Sequence, residues 1–210
     1  MRPTSPLSYN PATLQTSGLP SNMCILKGFP TALAKTATDA SDYPFGMWFA
    51  NDHTLYIADE GSGDNAYQNG SYTAAAASAA AGLQKWVFDS GTGQWKLAYT
   101  LRNGLGLGQP YTIPGYPAGI NDATGLPWSP ATGGLRTLTG SANPDGTVSI
   151  WAVTSTVSGG GDQGADPNKL VEITDDLGAT SLPAGESFQT VRTAVLGELF
   201  RGVSFTPGSH

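Results

Sequence analysis

The chain is poor in the residues on which many catalytic and metal sites depend. It has one cysteine, Cys24, and two histidines, His53 and His210, among 210 residues. A single cysteine cannot form an internal disulfide, and three such residues are too few for the four-ligand nitrogen and sulfur cage of a structural zinc site. We therefore predict no bound zinc and interpret Cys24 as a small packed side chain.

Motifs for nucleophilic and phosphate chemistry are also lacking. No Gly-x-Ser-x-Gly elbow occurs, and His53, which a catalytic triad would need, falls in a predicted hairpin turn. The glycine-rich string that begins at Gly104 is not followed by the Lys-Ser/Thr of a phosphate-binding loop, so no nucleotide is predicted as a cofactor. Serine-hydrolase chemistry is disfavoured, and whether the chain is an enzyme stays open.

Charge is scarce and acidic in balance. Charged residues make up 12% of the chain, and ten basic residues stand against sixteen acidic ones, for a net charge of −6. Nucleic acids and anionic membranes select clustered basic residues, so neither is a predicted partner. No apolar run reaches the ~18 residues of a transmembrane helix, and residues 1–18 lack the apolar core of a signal peptide. The composition is nevertheless typical of exported bacterial β-proteins, which predicts an extracellular or periplasmic location.

Short runs of aromatic and β-branched residues recur along the chain. Clusters of glycine, proline, asparagine and aspartate separate them, in a chain with 28 glycines and 15 prolines. Such runs are typical of strands, and such clusters are typical of the turns between strands. The sequence therefore predicts an all-β fold.

The strand runs form a four-part order that occurs twice, with corresponding parts about 90 residues apart. The first copy covers residues 45–100, the second covers residues 135–193, and a third begins at Phe200. Each complete copy is predicted to form one four-stranded antiparallel sheet. The apolar members of the runs are the predicted core: Trp48, Phe49, Leu55, Ile57, Trp86, Phe88, Leu138, Val148, Ile150, Trp151, Leu170, Ile173 and Val203.

Four antiparallel strands per unit, repeated with long returns, resemble the blades of a β-propeller. The resemblance covers about residues 24–205 and is to a broad group of bacterial secreted propellers that includes NHL-type, SMP-30-type and phytase-like members. A β-sandwich or a β-solenoid is the alternative. The resemblance implies an N-terminal extension (1–23), the outer strand of a preceding blade with a linker (24–44), two blades (45–134 and 135–199) and the first strand of a third blade (200–210).

Two complete blades and two partial ones cannot close a ring, because propellers have about four to eight blades. Open sheet faces and edges invite pairing with another chain. We therefore expect either self-association or further N-terminal blades in a longer chain.

The long connections are predicted to share one face, because the chain reverses at every strand of an antiparallel unit. They cover residues 61–82, 102–134 and 156–168, and we call the surface they form the insertion face. Long loops on a rigid scaffold commonly carry function, so this face is predicted to bind a small molecule or a protein. Tyr116 and Trp128 are candidate stacking residues there, and covering the core is the alternative. The alanine-rich stretch 74–81 is interpreted as a spacer, with a helical turn or two as the alternative.

Two glycine-rich acidic turns make a Ca²⁺ site a candidate. Asp59, Glu60 and Asp64 follow the second strand of the first copy, while Asp162 and Asp166 occupy the equivalent turn of the second copy. Ca²⁺ takes about six to eight oxygen ligands on flexible backbone, which glycine-interleaved carboxylates can supply. The alternative is a pair of solvated acidic turns that satisfy their own backbone.

Arg136 and Arg201 hold matching positions on the innermost strands of successive copies. Because innermost strands line the central channel of a propeller, the two guanidinium groups are a candidate anion-binding pair. The alternative is structural, with each arginine paired to a carboxylate of the neighbouring blade.

Two functions follow from these patterns. The first is a secreted propeller module that binds a ligand or a protein partner through the insertion face. The alternative is a Ca²⁺-dependent hydrolase of the lactonase, esterase or phytase-like kind, with the metal held by the loop carboxylates.

Overall fold

A computed structural model describes Tyr9–Asn10, Gln15–Thr16 and residues 26–29, 42–160 and 165–206. Cys24, Asp162 and His210 lie outside these residues, and so do the predictions that name them.

The described residues are almost entirely strands and turns, which confirms the all-β prediction. The one helix among them, α1 (Thr73–Ala77), lies in the alanine-rich stretch interpreted as a spacer. That interpretation was wrong for this part, because a run of alanines, the best helix former, suffices for one turn. The strands are β1 (Tyr9–Asn10), β2 (Gln15–Thr16), β3 (Pro44–Phe49), β4 (Thr54–Asp59), β5 (Tyr67–Gln68), β6 (Ser71–Tyr72), β7 (Gly82–Asp89), β8 (Gln94–Leu101), β9 (Ile120–Asn121), β10 (Leu126–Pro127), β11 (Ala131–Ala142), β12 (Thr147–Val157), β13 (Lys169–Asp176) and β14 (Gln189–Thr193).

Two four-stranded antiparallel sheets organise the chain. The first sheet has the order β3-β4-β7-β8 and the second has the order β11-β12-β13-β14. Each is a meander of consecutive long strands, as the repeated four-part order predicts, and neither sheet closes on itself. Hairpins β5-β6 and β9-β10 lie within the long connections.

The first strands of the two sheets, β3 and β11, lie against each other, and glycines allow the close approach. A Cβ atom on Gly46 of β3 would stand 2.5 Å from the carbonyl oxygen of Arg136 on β11. A Cβ atom on Gly140 of β11 would stand 2.6 Å from the ring of Trp48. Both distances are shorter than any normal contact, so only glycine fits at these two positions.

The main core lies between the two sheets. It combines residues of the first sheet such as Tyr56 and Leu83 with residues of the second such as Val148 and Ile150. A smaller cluster of Leu55, Ile57, Trp86 and Trp95 covers the opposite face of the first sheet, against Leu26 and Phe29. Among the predicted core residues only Phe49 is exposed, at 41%, because it lies on the outer face of edge strand β3.

The outer parts of the second sheet are less regular than the repeat predicts. Strand β14 pairs only with Lys169–Glu172, the first half of β13. Residues 200–206, predicted as the first strand of a third copy, form no strand with the described residues. Their contact with the second sheet includes the ring of Phe205, which meets Trp151 edge-on with centroids 5.4 Å apart.

Candidate functional site

The three long connections meet at one end of the two sheets. The Tyr72 hydroxyl of the first donates to the carbonyl of Pro127 in the second, at 3.1 Å. The Tyr111 hydroxyl of the second donates to the carbonyl of Pro167 in the third, at 2.8 Å. The insertion face is therefore a single connected surface, as the reversal of consecutive strands predicts.

A small pocket of about 100 Å³ lies beside the first strands of the two sheets, β3 and β11, and both predicted arginines line it. Phe45, Arg136, Val153, Asn168, Leu199, Phe200 and Arg201 line it. Phe45 and Phe200 begin the first and third copies of the repeat, and Arg136 is the second residue of the second copy, so the pocket gathers the first residues of three successive units. We call this cavity the arginine pocket.

The two arginines differ in their partners. Arg136 donates from Nε to Oε2 of Glu60 at 2.9 Å, and its guanidinium lies 5.1 Å from the ring centroid of Phe45. Arg201 is exposed, and no carboxylate of the described residues forms an ion pair with it. The structural alternative thus applies to Arg136, which ties β11 to the first sheet. Arg201 has no such carboxylate partner among the described residues.

Asn168 holds the pocket wall in place. Its side-chain oxygen accepts the Phe200 N–H at 2.9 Å, and its Nδ2 donates to the Phe200 carbonyl at 2.9 Å. A second Nδ2 hydrogen bond, of 3.0 Å, goes to the carbonyl of Thr154. Because Asn168 is buried and fully engaged, the backbone that precedes Arg201 is fixed against the second sheet.

The first acidic turn is used by the protein itself. Asp59 is fully buried and accepts hydrogen bonds from the Tyr43 N–H at 2.6 Å, the Gly61 N–H at 3.0 Å and Gln84 Nε2 at 3.2 Å. Burial raises the pKa of Asp59, while the two backbone donors act in the opposite direction. Asp59 therefore fixes the end of the first sheet.

The other two carboxylates of that turn diverge. Glu60 pairs with Arg136, whereas Asp64 is exposed and accepts the Ala66 N–H at 2.8 Å. The alternative to a metal site was an acidic turn whose carboxylates accept hydrogen bonds from the turn's own backbone. Asp64 does this. Within the described ranges, no group of three or more His, Cys, Asp and Glu residues is placed to hold a metal ion.

Asp166 is the predicted metal ligand of which one carboxylate oxygen accepts no hydrogen bond from the described residues. It is 5% exposed, and its Oδ1 accepts the hydroxyl of Tyr116. Its Oδ2 is buried without a hydrogen-bond donor from the described residues. Tyr116 is thus engaged inside the insertion face, and half-buried Trp128 is held there by a backbone hydrogen bond of 3.0 Å to Gly119.

A buried charged cluster between the sheets was not predicted from the sequence. Tyr56, Lys85 and Tyr99 stand side by side on β4, β7 and β8, in direct register across the first sheet. Asp175 of β13 faces them from the second sheet, and Lys85 and Asp175 are both fully buried.

The donors of this cluster converge on one carboxylate. Lys85 Nζ lies 3.0 Å from Asp175 Oδ2, Tyr99 donates to Oδ1 at 2.7 Å, and Tyr56 donates to Oδ2. Burial and the adjacent Asp175 charge raise the pKa of Tyr56 and Tyr99 well above the usual range, so both stay neutral donors. We call this the interface cluster.

Comparison with protein-family models, with curated proteins and with solved structures finds no match. No helix among the described residues has the length and apolar character needed to cross a membrane.

Proposed function

We propose that the chain is a binding module that receives an anionic group of its ligand in the arginine pocket. The observation that carries the proposal is that two arginines, from equivalent positions of the repeat, line one cavity, while only Arg136 has a carboxylate partner among the described residues. In a chain with a net charge of −6, such a local excess of positive charge favours an anion.

The size of the pocket favours a carboxylate or a phosphate group rather than a whole ligand. A volume of about 100 Å³ accepts one such group. The guanidinium fork of Arg201 matches two oxygens of either group, and Phe45 and Phe200 supply apolar walls. The rest of the ligand would extend over the insertion face, whose three connections are hydrogen-bonded together.

Thermal unfolding in inorganic phosphate, against sodium chloride at matched ionic strength, tests the proposal. Phosphate at about ten times its Kd should stabilise the chain by about 1.4 kcal/mol, or about 3–5 °C in Tm. Arg201→Ala should abolish that rise, and Arg201→Lys should retain only part of it, because lysine keeps the charge but loses the fork.

Lys96→Ala is the matched control, since Lys96 is an exposed cation far along the chain from the pocket and should leave the phosphate response intact. An equal phosphate effect in wild type and Arg201→Ala would exclude the arginine pocket as the anion site.

The β-propeller architecture also belongs to this proposal. Two successive antiparallel meanders that pack face to face through their innermost strands support it. Each sheet then corresponds to one blade, and closure of the ring requires a second copy or further blades. Secretion is proposed on composition alone.

A Ca²⁺-dependent hydrolase is the second candidate. The observation that favours it is the Oδ2 of buried Asp166, which accepts no hydrogen bond from the described residues. One carboxylate oxygen falls short of the ligand set that Ca²⁺ needs, so the described residues fit this metal only in part. The same thermal assay with CaCl₂ separates the candidates. A Ca²⁺-dependent rise lost in Asp166→Asn but kept in Asp145→Asn, an exposed turn variant, would favour the hydrolase.

A further inference from the structure

Glu186 lies in the connection between β13 and β14, where it faces the interface cluster. This connection, residues 177–188, is fastened to the end of the first sheet by Asn103. The Nδ2 of Asn103 donates to the Glu186 carbonyl at 3.1 Å, and the Phe188 N–H donates to the Asn103 carbonyl at 2.9 Å. The Glu186 side chain turns inward, and its Oε1 accepts the Asp176 N–H at 3.1 Å.

The second carboxyl oxygen of Glu186 has no hydrogen-bond donor among the described residues. Oε2 is buried and accepts no hydrogen bond from the described residues. The Glu186 carboxyl group interacts directly with the carboxylate of Asp175. Two acceptors in contact repel each other unless one of them carries a proton.

The neighbouring donors are already committed. The ammonium of Lys85 has three N–H groups, and it has three acceptors: Tyr99 Oη at 2.9 Å, Asp175 Oδ2 at 3.0 Å and the Asp176 carbonyl at 2.6 Å. The hydroxyls of Tyr56 and Tyr99 both donate to Asp175. The interface cluster thus has one cation, Lys85, for the two carboxyl groups of Asp175 and Glu186. None of its N–H or O–H groups is left to donate to Glu186.

Other charged groups near Glu186 do not change this balance. The Asp176 carboxylate turns away to accept the Gly178 N–H at 2.9 Å. Glu172 lines the cleft on one side of Glu186, where it accepts from Trp151 Nε1 at 3.0 Å. Arg102 lines the cleft on the other side, and its Nη2 donates to the Ala76 carbonyl at 3.2 Å. Its buried Nε donates to no acceptor of the described residues, the Glu186 carboxyl included.

We infer that a proton on Glu186, hydrogen-bonded to Asp175, holds the 177–188 connection closed, so that the connection opens when this proton is lost. Gly185 and Glu186 separate two clefts of about 390 and 580 Å³. Release of the connection would join these clefts into one opening beside the interface cluster. The chain thus contains a pH-sensitive closure at the outer edge of its second sheet.

The direction of the pH dependence follows from the protonation states. Burial and the neighbouring Asp175 raise the pKa of Glu186 from its ordinary 4.5 to about 7. The folded form with the connection closed binds this proton more tightly than the open or unfolded chain. Its stabilisation is complete below pH 4.5, declines as the pH rises, and is lost above about pH 7.

Amide hydrogen exchange at pH 6 and pH 8, corrected for the intrinsic rate, tests the closure. The protection factor of a peptide covering residues 177–188 should fall about tenfold in wild type, which corresponds to one pKa unit of linkage. Glu186→Gln carries a permanent N–H donor toward Asp175 and should keep its protection at pH 8. Glu172→Gln, in the adjacent cleft, should respond like wild type. A peptide over β7 and β8 should not change.

Carbon-13 NMR of carboxyl-labelled glutamate supplies an independent measurement, since the chain has only four glutamates. One resonance should titrate with a midpoint near 7 and be absent in Glu186→Gln. Midpoints all below about 5 would overturn the inference, because they are ordinary for glutamate. So would protection in Glu186→Gln that falls as far as in wild type.

Discussion

At the scale of single residues, Lys85 shows how a buried charge depends on its partner. We predict that Lys85→Met destabilises the chain by about 3–5 kcal/mol, because it leaves the buried Asp175 carboxylate without its cation. This is a large part of the roughly 5–15 kcal/mol that stabilises a typical domain. Urea unfolding at pH 7, followed by tryptophan fluorescence, measures the loss.

Lys96→Met is the matched control, because Lys96 on the neighbouring strand β8 also pairs with an aspartate, Asp89, but is 59% exposed. Solvent screens that pair, so the unfolding midpoint should hardly move. Equal effects of the two lysine substitutions would mean that the interface cluster contributes no more to the free energy of unfolding than a surface ion pair does.

The same residues show why this site was missed from the sequence. Asp89 and Asp175 occupy matching positions of the repeat, yet Asp89 is partly exposed and Asp175 is fully buried. Local pattern predicts which face of a strand a side chain occupies, but the partner of Asp175 lies 90 residues away in the other sheet. The available signal was Lys85 itself, a charged residue within an apolar strand run.

At the scale of elements, β3 and β11 approach each other closely enough to require glycine. Gly46→Ala should destabilise the chain by about 1–3 kcal/mol, the usual effect of overpacking, because its Cβ atom would meet the backbone of β11. Gly202→Ala is the control, since the nearest atom to its Cβ would be 4.0 Å away, the side-chain oxygen of Thr137. Calorimetric Tm values distinguish the two, and an equal change in both would contradict the close packing.

Strands of this kind were predictable because their signals are local. Alternating apolar residues and Asn, Asp and Gly turns define β4, β7 and β12, and the structure has all three within the predicted copies, 45–100 and 135–193. Elements without such signals were not foreseen. The β5-β6 and β9-β10 hairpins have two residues in each strand, too few to show alternation. Arg136 and Arg201 were predicted as a pair from their matching positions in the repeat. Glu60, the partner of Arg136, was instead predicted as a metal ligand.

At the scale of the whole molecule, the two sheets share one core and should unfold as one unit. The main core draws on both sheets, and the interface cluster crosses between them. Labelling with 5-fluorotryptophan follows the unfolding of both sheets at once, because Trp86 lies on β7 of the first sheet and Trp151 lies on β12 of the second. Their fluorine resonances should show the same urea midpoint, as two-state unfolding requires.

A core substitution in one sheet makes that prediction sharper. Ile150→Ala removes a fully buried side chain of β12 and should cost about 2–5 kcal/mol. If the sheets are coupled, the midpoints of Trp86 and Trp151 should fall together and by the same amount. If the sheets are independent, only the Trp151 transition should move. A Trp86 midpoint that stays at its wild-type value would show that each sheet is stable alone, and the shared core would then contribute little to the cohesion of the molecule.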